Sequence, residues 1–234
     1  MLFRSQVERL IQILPKECSF LHSIPVSVER PTPRLLPLFA AKAARVVYLS
    51  TTGVYGAAHW VDETTLAAPR TQRQRLRVDE ESGVASGSWL WCLLRPAAIY
   101  GPGRGVHRAL IEGRHRVMGD GSNYVSRIHV DDLAAIADAA LMSDITGTFP
   151  VADDEPSTSA EIARFCAELL GIEAPATGGE LPADDTRSAN RSANRRVDGR
   201  LIRELLGVKL RYPSYRVGIP ACLEAESLTD RLPS

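Results

Sequence analysis

The sequence predicts an α/β protein in which a parallel β-sheet is covered by helices on both faces. Three nearly continuous apolar segments carry this prediction: CSFLHSI (18–24), RVVYLS (45–50) and SWLWCLLRP (88–96). Strands that are buried on both faces of a sheet have this composition. Because helical segments separate the three strands, the connections cross the sheet faces and the strands are expected to run parallel.

The helices are predicted from the periodic spacing of apolar residues and from signals at the helix ends. They are expected over residues 5–14, 33–44, 72–82, 106–112, 131–142, 159–171 and about 197–206. Helix 131–142 begins with two carboxylates, which the helix dipole favours in a first turn. Two short strands are expected at 127–130 and 148–153, and the polar residues 173–196 are expected to form a loop.

Size and charge narrow the classes of function. The 234 residues, of which 44% are hydrophobic, suffice for one large domain or for a nucleotide-binding domain with a small lobe. The 28 basic and 28 acidic residues balance, so the net charge does not steer the chain to nucleic acid or to an anionic membrane. We therefore expect a small-molecule substrate as the partner, and neither nucleic acid nor a membrane.

The cysteines and the terminal segment bear on the location of the protein. Cys18, Cys92, Cys166 and Cys222 are scattered and show no CxxC spacing, which favours reduced, mostly buried thiols and predicts no metal site. No apolar run reaches the ~18 residues that a membrane span needs. The N-terminal residues form an amphipathic pattern that differs from a secretion signal. The expected location is the cytoplasm.

Four segments follow one another in an order that is more informative than any one of them. They are YLSTTGVYG (48–56), LRPAAIYGPGRG (94–105), RIHVDDLA (127–134) and VADDEPSTSAEIARFCAELLG (151–171). Together they resemble the extended short-chain dehydrogenase/reductase family, and within it the NAD-dependent epimerase/dehydratase-like proteins. The resemblance implies a Rossmann-like, doubly wound parallel sheet. It also implies an incomplete NAD(P)-binding domain over residues 1–150, interleaved with a small α+β substrate lobe over residues 151–234.

The resemblance assigns the catalytic hydroxyl to the end of the second strand. Thr51 takes the position of the hydroxyl that holds the substrate carbonyl or alcohol, and Ser50 lies beside it. A threonine hydroxyl both donates and accepts hydrogen bonds, as this role requires. The alternative is a Ser/Thr turn that caps the exit of the chain from the sheet.

The resemblance also implies NAD or NADP as the cofactor, bound beyond the carboxyl ends of the strands. The residues that it assigns to the cofactor are strand-end residues and one helix residue: His22, Ser23, Ile24, Ser50, Thr52, Arg75, Pro96, Ala97, Ala98 and Ile99. The segment that starts at Pro96 is expected to contact the nicotinamide carboxamide through its backbone. A core histidine is the alternative interpretation of His22.

The expected substrate contacts are Tyr100, Arg104 and Arg127. An arginine binds a phosphate or carboxylate through two parallel hydrogen bonds, and the alternative is a surface arginine without a ligand. The glycines of YGPGRG are interpreted as a turn, because they lack the spacing of a phosphate loop. Asp131 and Asp132 are interpreted as N-caps of a helix.

Two features of the family's pattern are not found in the sequence. The family uses YxxxK for proton transfer, with a lysine that lowers the pKa of the tyrosine, and no such motif occurs here. In the matching segment, TQRQRLRVDEE (71–81), Thr71 and Arg75 stand in their place, and Arg75 is expected to hold ribose hydroxyls. No GxGxxG or GxxGxxG occurs either, so no pyrophosphate cradle is expected. A missing N-terminal segment is favoured over a degenerate relative.

The sequence leaves three possible functions open. The first is an NAD(P)-dependent epimerase/dehydratase or reductase that acts on a nucleotide sugar or similar polar metabolite with atypical catalytic residues. The second is a non-catalytic NAD(P)- or metabolite-binding sensor, which the missing Tyr/Lys pair favours. The third is an inactive fragment that needs a partner to cover its open sheet edge. A homodimer is a further expectation, made by analogy with the family.

Overall fold

The computed structural model describes residue 9 and residues 11–26, 39–178 and 194–229. Its centre is a four-stranded parallel sheet in the order β1-β2-β4-β8, with strands numbered along the chain. These strands are β1 (Cys18–His22), β2 (Ala43–Leu49), β4 (Leu90–Pro96) and β8 (Gly147–Val151). The predicted α/β class with a parallel sheet is confirmed, and the three apolar segments form three of its strands.

Helices and short strands surround this sheet in the described ranges, and a 3-10 helix over Thr52–Tyr55 follows β2. The helices are α1 (Gln72–Ala85), α2 (Val106–Ile111), α3 (Val130–Leu141), α4 (Ser159–Leu170), α5 (Arg200–Leu206) and α6 (Tyr215–Thr229). The short strands are β3 (Trp60–Val61), β5 (Ala98–Tyr100), β6 (Tyr124–Val125), β7 (Arg127–His129), β9 (Ser157–Thr158) and β10 (Arg196–Val197). They pair as β3 with β10 and β5 with β7, both parallel, and as β6 with β9, antiparallel.

Helices cover both faces of the sheet, as the doubly wound prediction requires. Successive residues of a strand point to opposite faces. On one face, Val47 packs in a cluster with Ile136 of α3, and on the other face Val46 and Tyr48 pack with Val84 of α1. All five side chains are fully buried. Burial of an aliphatic side chain of this size contributes about 1.5–3 kcal/mol to stability, so the two helices hold the sheet from both sides.

The register of the sheet places the carboxyl ends of its central strands side by side. Leu49 of β2 is paired with Leu94 of β4, and Pro96 of β4 is paired with Val151 of β8. Because parallel strands end at one edge of a sheet, the residues that follow β2 and β4 are neighbours in space.

Buried charged side chains fix helices to the sheet. Arg95 of β4 donates two hydrogen bonds to Glu81 of α1, with Nε–Oε1 and Nη2–Oε2 distances of 3.0 and 2.7 Å. Arg45 of β2 donates to the carbonyl oxygens of Ala140 and Ile145, at 2.6 Å each. These carbonyls lie at and after the end of α3, where a cation complements the helix dipole.

The N-terminus of α3 differs from its prediction. His129 caps the helix, because its side chain accepts the N–H of Asp131 at 3.2 Å, so the interpretation of Asp131 and Asp132 as N-caps is wrong. Asp132 is buried and accepts the N–H groups of Arg211 and Tyr212 at 2.7 and 3.0 Å. Its carboxylate thus ties the segment before α6 to the start of α3.

Some predicted boundaries also differ. Residues 5–8, 10 and 33–38 of the first two predicted helices lie outside the described residues, and residues 43 and 44 belong to β2. Helix α6 is absent from the predictions because Pro220 lies inside it, and a proline usually ends a helix. Most of the predicted loop 173–196 is outside the described residues, and Arg196 belongs to β10.

The predicted division at residue 150 stays a prediction. Two strand pairs, β3 with β10 and β6 with β9, join residues on both sides of it. All four cysteines are free thiols, and three of them are buried. Within the described residues, no cluster of three or more metal-ligating side chains occurs, and no helix has the length and apolar character to cross a membrane.

Candidate functional site

A cleft of about 320 Å³ opens at the edge of the sheet where β2 and β4 end. It is lined by residues 50–53, which follow β2, and by residues 96–99, at and beyond the end of β4. Residues 124–126, Arg195 and Val197 also line it, together with Arg77 and Arg104. The two strand ends that are predicted to share a crevice therefore lie in one cleft.

Ser50 and Thr51 carry hydroxyl groups at the end of β2. The N–H of Ser50 donates to the carbonyl oxygen of Leu94 at 2.8 Å, which continues the sheet ladder and holds the segment in place. Ser50 is 6% exposed, and its Oγ has no hydrogen-bond partner among the described residues. Thr51 Oγ1 accepts the N–H of Gly53 at 3.1 Å. The capping alternative is thus observed for Thr51, and its hydroxyl proton can still be donated.

Residues 96–99 line the cleft, and two of their backbone N–H groups are hydrogen-bonded within the protein. The N–H of Ala97 donates to the carbonyl oxygen of Val151 at 2.9 Å, and the N–H of Ala98 donates to that of Ser126 at 3.1 Å. These two N–H groups are therefore not available to a ligand. A backbone contact with a ligand at either alanine would use its carbonyl oxygen, and the small side chains allow a close approach.

The residues that are predicted to replace Tyr and Lys of YxxxK, Thr71 and Arg75, lie at the start of α1 and away from the cleft. Thr71 is the N-cap of α1 and accepts the N–H of Gln74 at 3.2 Å, so it has a capping role. Arg75 is exposed, does not line the cleft, and donates to the carbonyl oxygen of Arg70 at 3.3 Å. The contact of Arg75 with a cofactor stays a prediction that its position outside the cleft does not support.

Arg77 is the residue of α1 that lines the cleft. Its Nη1 donates to the hydroxyl of Tyr48 at 2.7 Å. Burial raises the pKa of Tyr48, and the positive charge of Arg77 opposes that rise. Residues four apart lie on the same face of a helix, so the spacing of YxxxK on this face corresponds to Arg73 and Arg77.

Short strands bring further residues to the cleft that the sequence does not reveal. The N–H of Arg195 donates to the carbonyl oxygen of Tyr124 at 2.8 Å, and the N–H of Val197 donates to Ser126 Oγ at 2.9 Å. The guanidinium of Arg195 donates to the carbonyl oxygen of Gly56, and burial lowers its pKa. Strand pairs of two residues have no pattern of their own in a sequence, so no signal pointed to these positions.

The end of β1 lies outside the cleft. His22 Nε2 is 3.0 Å from Glu80 Oε1, and the ring stacks on Tyr48 with 4.7 Å between centroids. Ser23 and Ile24 follow it and are exposed. His22 thus has the packing position of the alternative interpretation. Contact of His22, Ser23 or Ile24 with a cofactor stays a prediction that this cleft does not support.

Two of the three predicted substrate contacts are buried behind the cleft. Tyr100 is 3% exposed, and its hydroxyl donates to the carbonyl oxygen of Ser214 at 3.4 Å. Arg127 is 5% exposed and donates to the carbonyl oxygen of Val125 and to Ser157 Oγ, both at 2.8 Å. Burial lowers the pKa of Arg127 to about 10. Their contact with substrate stays a prediction that this structure does not support, because each side chain is buried and hydrogen-bonded within the interior.

The cleft has a positive character. Among its lining residues that the structure describes, Arg77, Arg104 and Arg195 are cationic and none is an aspartate or glutamate. Guanidinium groups match carboxylates and phosphates in geometry and charge. The arrangement is therefore suited to a ligand that carries a negative group. Arg104 is the one predicted substrate contact that lies in the cleft.

The fold and the cleft agree with a match to a known family. Residues 32–150 match the model of the NAD dependent epimerase/dehydratase family. That match covers half of the chain, and the chain belongs to this family. The resemblance to extended short-chain dehydrogenases/reductases, inferred from the four motifs, is thereby confirmed.

Relatives of known name or structure support the same fold. A Streptomyces protein named 3-diazoavenalumate denitrifying reductase is 32% identical over 154 residues, which are 58% of this chain and 48% of that protein. The chain thus spans about half the length of this curated relative.

Two solved structures are also similar. A conserved protein of unknown function from Silicibacter pomeroyi is 37% identical with a TM-score of 0.76, covering 88% of this chain and 77% of that one. UDP-glucuronic acid 4-epimerase from Bacillus cereus, solved with UDP-glucuronic acid and NAD, has a TM-score of 0.68 at 18% identity, covering 83% and 65% of the two chains. At this identity the epimerase supports the fold alone.

Proposed function

We propose that this chain forms the reaction cleft of an NAD(P)-dependent enzyme that reduces, or epimerises, a small polar metabolite with a negative charge. One observation carries the proposal: the hydroxyl-bearing end of β2 and the end of β4 line one cleft that also contains three arginines. In open parallel sheets, ligands bind in the crevice beyond the carboxyl ends of the strands. The name of the Streptomyces relative favours reduction over epimerisation.

The arginines define the proposed substrate class. Arg77 comes from α1, Arg104 from the turn after β5, and Arg195 from the residue before β10, so three separate elements place positive charge around one space. A volume of about 320 Å³ lies at the lower end of the range for ligand pockets. A metabolite of modest size with a carboxylate or phosphate fits this charge and volume.

The strand ends fit the nicotinamide end of NAD or NADP. Ser50 Oγ is a buried polar atom without a described partner, and buried polar atoms are normally hydrogen-bonded. A rotation of the Ser50 side chain toward the cleft would bring this hydroxyl to a ribose hydroxyl or a carboxamide, and the carbonyl oxygens of residues 96–99 suit the amide N–H of a carboxamide. Ser50, Thr52 and residues 96–99 would hold the cofactor. When bound, the nicotinamide supplies or accepts the hydride.

Thr51, Tyr124 and Arg77 have separate proposed roles in binding the substrate and in proton transfer. Thr51 is proposed to orient the reacting oxygen by donating its hydroxyl proton as a hydrogen bond. A threonine is too weak an acid to transfer a proton near neutral pH. Tyr124 lines the same cleft and is the proposed proton donor. Arg77 carries a guanidinium, which donates hydrogen bonds and accepts none, so its proposed role is to bind an anion.

A non-catalytic binding protein is the second candidate. The observation that favours it is that Arg73 and Arg77 stand in place of Tyr and Lys at the YxxxK spacing on α1, where Arg77 lines the cleft. Such a protein would keep the cofactor-shaped cleft and would not turn over its ligand.

The two candidates are separated by binding and turnover measured together. NADH and NADPH are titrated into this chain, and into an N-terminally extended version, by following nicotinamide fluorescence. Consumption of the nicotinamide is then followed with polar acids as acceptors. Binding with turnover supports the enzyme, and binding without turnover supports the sensor. If neither cofactor binds either version at millimolar concentration, both are contradicted.

A further inference from the structure

We propose that Glu226 of α6 is a positioning residue that holds the turn 101–105 and thereby directs Arg104 to the negative group of the ligand. This inference rests on the proposed function, since Arg104 contacts a ligand only if the cleft binds an anion. Glu226 lies outside the four motifs and outside the lining of the cleft. It comes from the helix that the sequence does not predict.

The turn that carries Arg104 is tightly closed. The N–H of Gly101 donates to the carbonyl oxygen of Arg104 at 2.9 Å, and the N–H of Arg104 donates back to Gly101 at 3.0 Å. Gly103 and Gly105 flank the arginine with φ values of 72° and 145°, in the region that only glycine adopts readily. The direction of the Arg104 side chain therefore depends on how this turn is held.

Glu226 holds the turn from outside. Its Oε1 accepts the N–H of Gly103 at 2.8 Å and lies 2.9 Å from His107 Nε2. These contacts connect segments that are 123 and 119 residues apart. Hydrogen bonds to a carboxylate are shorter and stronger than neutral ones. One carboxylate thus fixes the residue before Arg104 and the first turn of α2 behind it.

His107 makes the arrangement rigid. Its side chain is fully buried, and the Glu226 side chain is 16% exposed. A Cβ atom added at Gly105 would lie 3.0 Å from the His107 ring, so the backbone packs closely against the imidazole. The turn is held between this ring and the Glu226 carboxylate. The charge of Glu226 therefore organises the turn without occupying the anion site.

A double-mutant cycle tests the inference with acetate and inorganic phosphate as probes. Both Arg104→Ala and Glu226→Ala are expected to weaken binding about tenfold, the size of one hydrogen bond to a charged group. If Glu226 acts through Arg104, the double variant binds no more weakly than Arg104→Ala alone. Glu226→Gln keeps an oxygen that can accept the N–H of Gly103, so we expect it to retain most of the affinity.

The control is Glu224→Gln, an exposed carboxylate on the same helix, which is expected to bind like the unchanged chain. Circular dichroism of every variant verifies the fold. If the losses of Arg104→Ala and Glu226→Ala add in the double variant, Glu226 has only a structural role and the inference is overturned. If Arg104→Ala weakens binding and Glu226→Ala does not, the inference alone fails. If the unchanged chain binds neither probe, the anionic substrate class fails, and the inference fails with it.

Discussion

Among single residues, Ser50 and Thr51 carry two hydroxyls at the end of β2 whose hydrogen-bonding capacity is not used up. Ser50 Oγ has no described partner, and Thr51 accepts one bond from the backbone while its proton stays available. A buried hydroxyl without a partner costs free energy. A ligand would remove this cost at Ser50 if the side chain turned its hydroxyl toward the cleft that the residue lines.

Replacement of Thr51 by valine keeps its shape and removes its hydroxyl. We expect turnover to fall about 10²-fold, as for the loss of one preorganised hydrogen-bond donor, while the affinity for NADH changes little. The measurement is kcat together with nicotinamide fluorescence. Thr64→Val, at an exposed threonine outside the cleft lining, is the control. Full activity in Thr51→Val would remove this residue from the mechanism.

Arg77 and Arg75 offer a matched comparison on one helix. Arg77 lines the cleft, whereas Arg75 is exposed and outside it. Arg77→Met should weaken the binding of inorganic phosphate about tenfold by removing a charged donor, and Arg75→Met should leave the affinity for phosphate unchanged. Isothermal titration at constant ionic strength measures both. The reverse result would restore the motif alignment based on Thr71 and Arg75.

At the scale of elements, the buried ion pair between Arg95 and Glu81 joins α1 to β4 and so places Arg77 beside the strand end. Glu81 is 4% exposed and Arg95 is 7% exposed. Removing one partner leaves a buried, uncompensated charge. Glu81→Ala should therefore lower the free energy of unfolding by about 3–5 kcal/mol, measured by urea denaturation. Asp79→Ala on the exposed face of α1 is the control, and an equal effect of the two would contradict this role.

The elements show where sequence reasoning succeeds. Strands β2 and β4 are predicted because burial on both faces requires nearly continuous apolar residues, and Ser50, Thr51 and residues 96–99 follow from where those strands end. Arg77 is not predicted, because the sequence matches YxxxK to Thr71 and Arg75, two residues before Arg73 and Arg77. Tyr124 and Arg195 are missed because only tertiary pairing brings their short segments together.

At the scale of the whole molecule, one buried carboxylate makes stability depend on pH. Asp153 follows β8 and is 2% exposed, and burial raises its pKa to about 8 although Arg127 opposes the rise. In the unfolded chain this group ionises near its ordinary pKa of 3.8. Between these values the unfolded state releases a proton that the folded state keeps, so this group lowers stability as the pH rises.

Asp153→Asn should remove that contribution. We expect the free energy of unfolding to fall between pH 5 and pH 8 more steeply for the unchanged chain than for the variant. The variant should gain stability relative to the unchanged chain at the upper end of this range. Urea denaturation of both proteins at several pH values provides the measurement. Parallel pH profiles would show that Asp153 titrates normally in the folded state.

Strand β1 forms one edge of the four-stranded sheet. Among the described residues, β1 pairs with β2 alone, and Leu21 on this strand is 46% exposed. An open strand edge favours pairing with a further strand. Dependence on a partner and formation of a homodimer therefore stay predictions, and size-exclusion chromatography at high concentration tests both. The parallel direction of β1, β2 and β4 is predictable from the sequence, whereas the covering of the sheet edge is not.

The central claim is that the ends of β2 and β4 form one ligand-binding cleft. The most direct measurement is a titration of the isotope-labelled chain with NADH, followed by amide chemical shifts in NMR spectra. We predict that the amide chemical shifts of residues 50–53 and 97–99 change together, with a single midpoint in NADH concentration. Shifts confined to one of these segments, or shifts elsewhere while both stay unchanged, would contradict it.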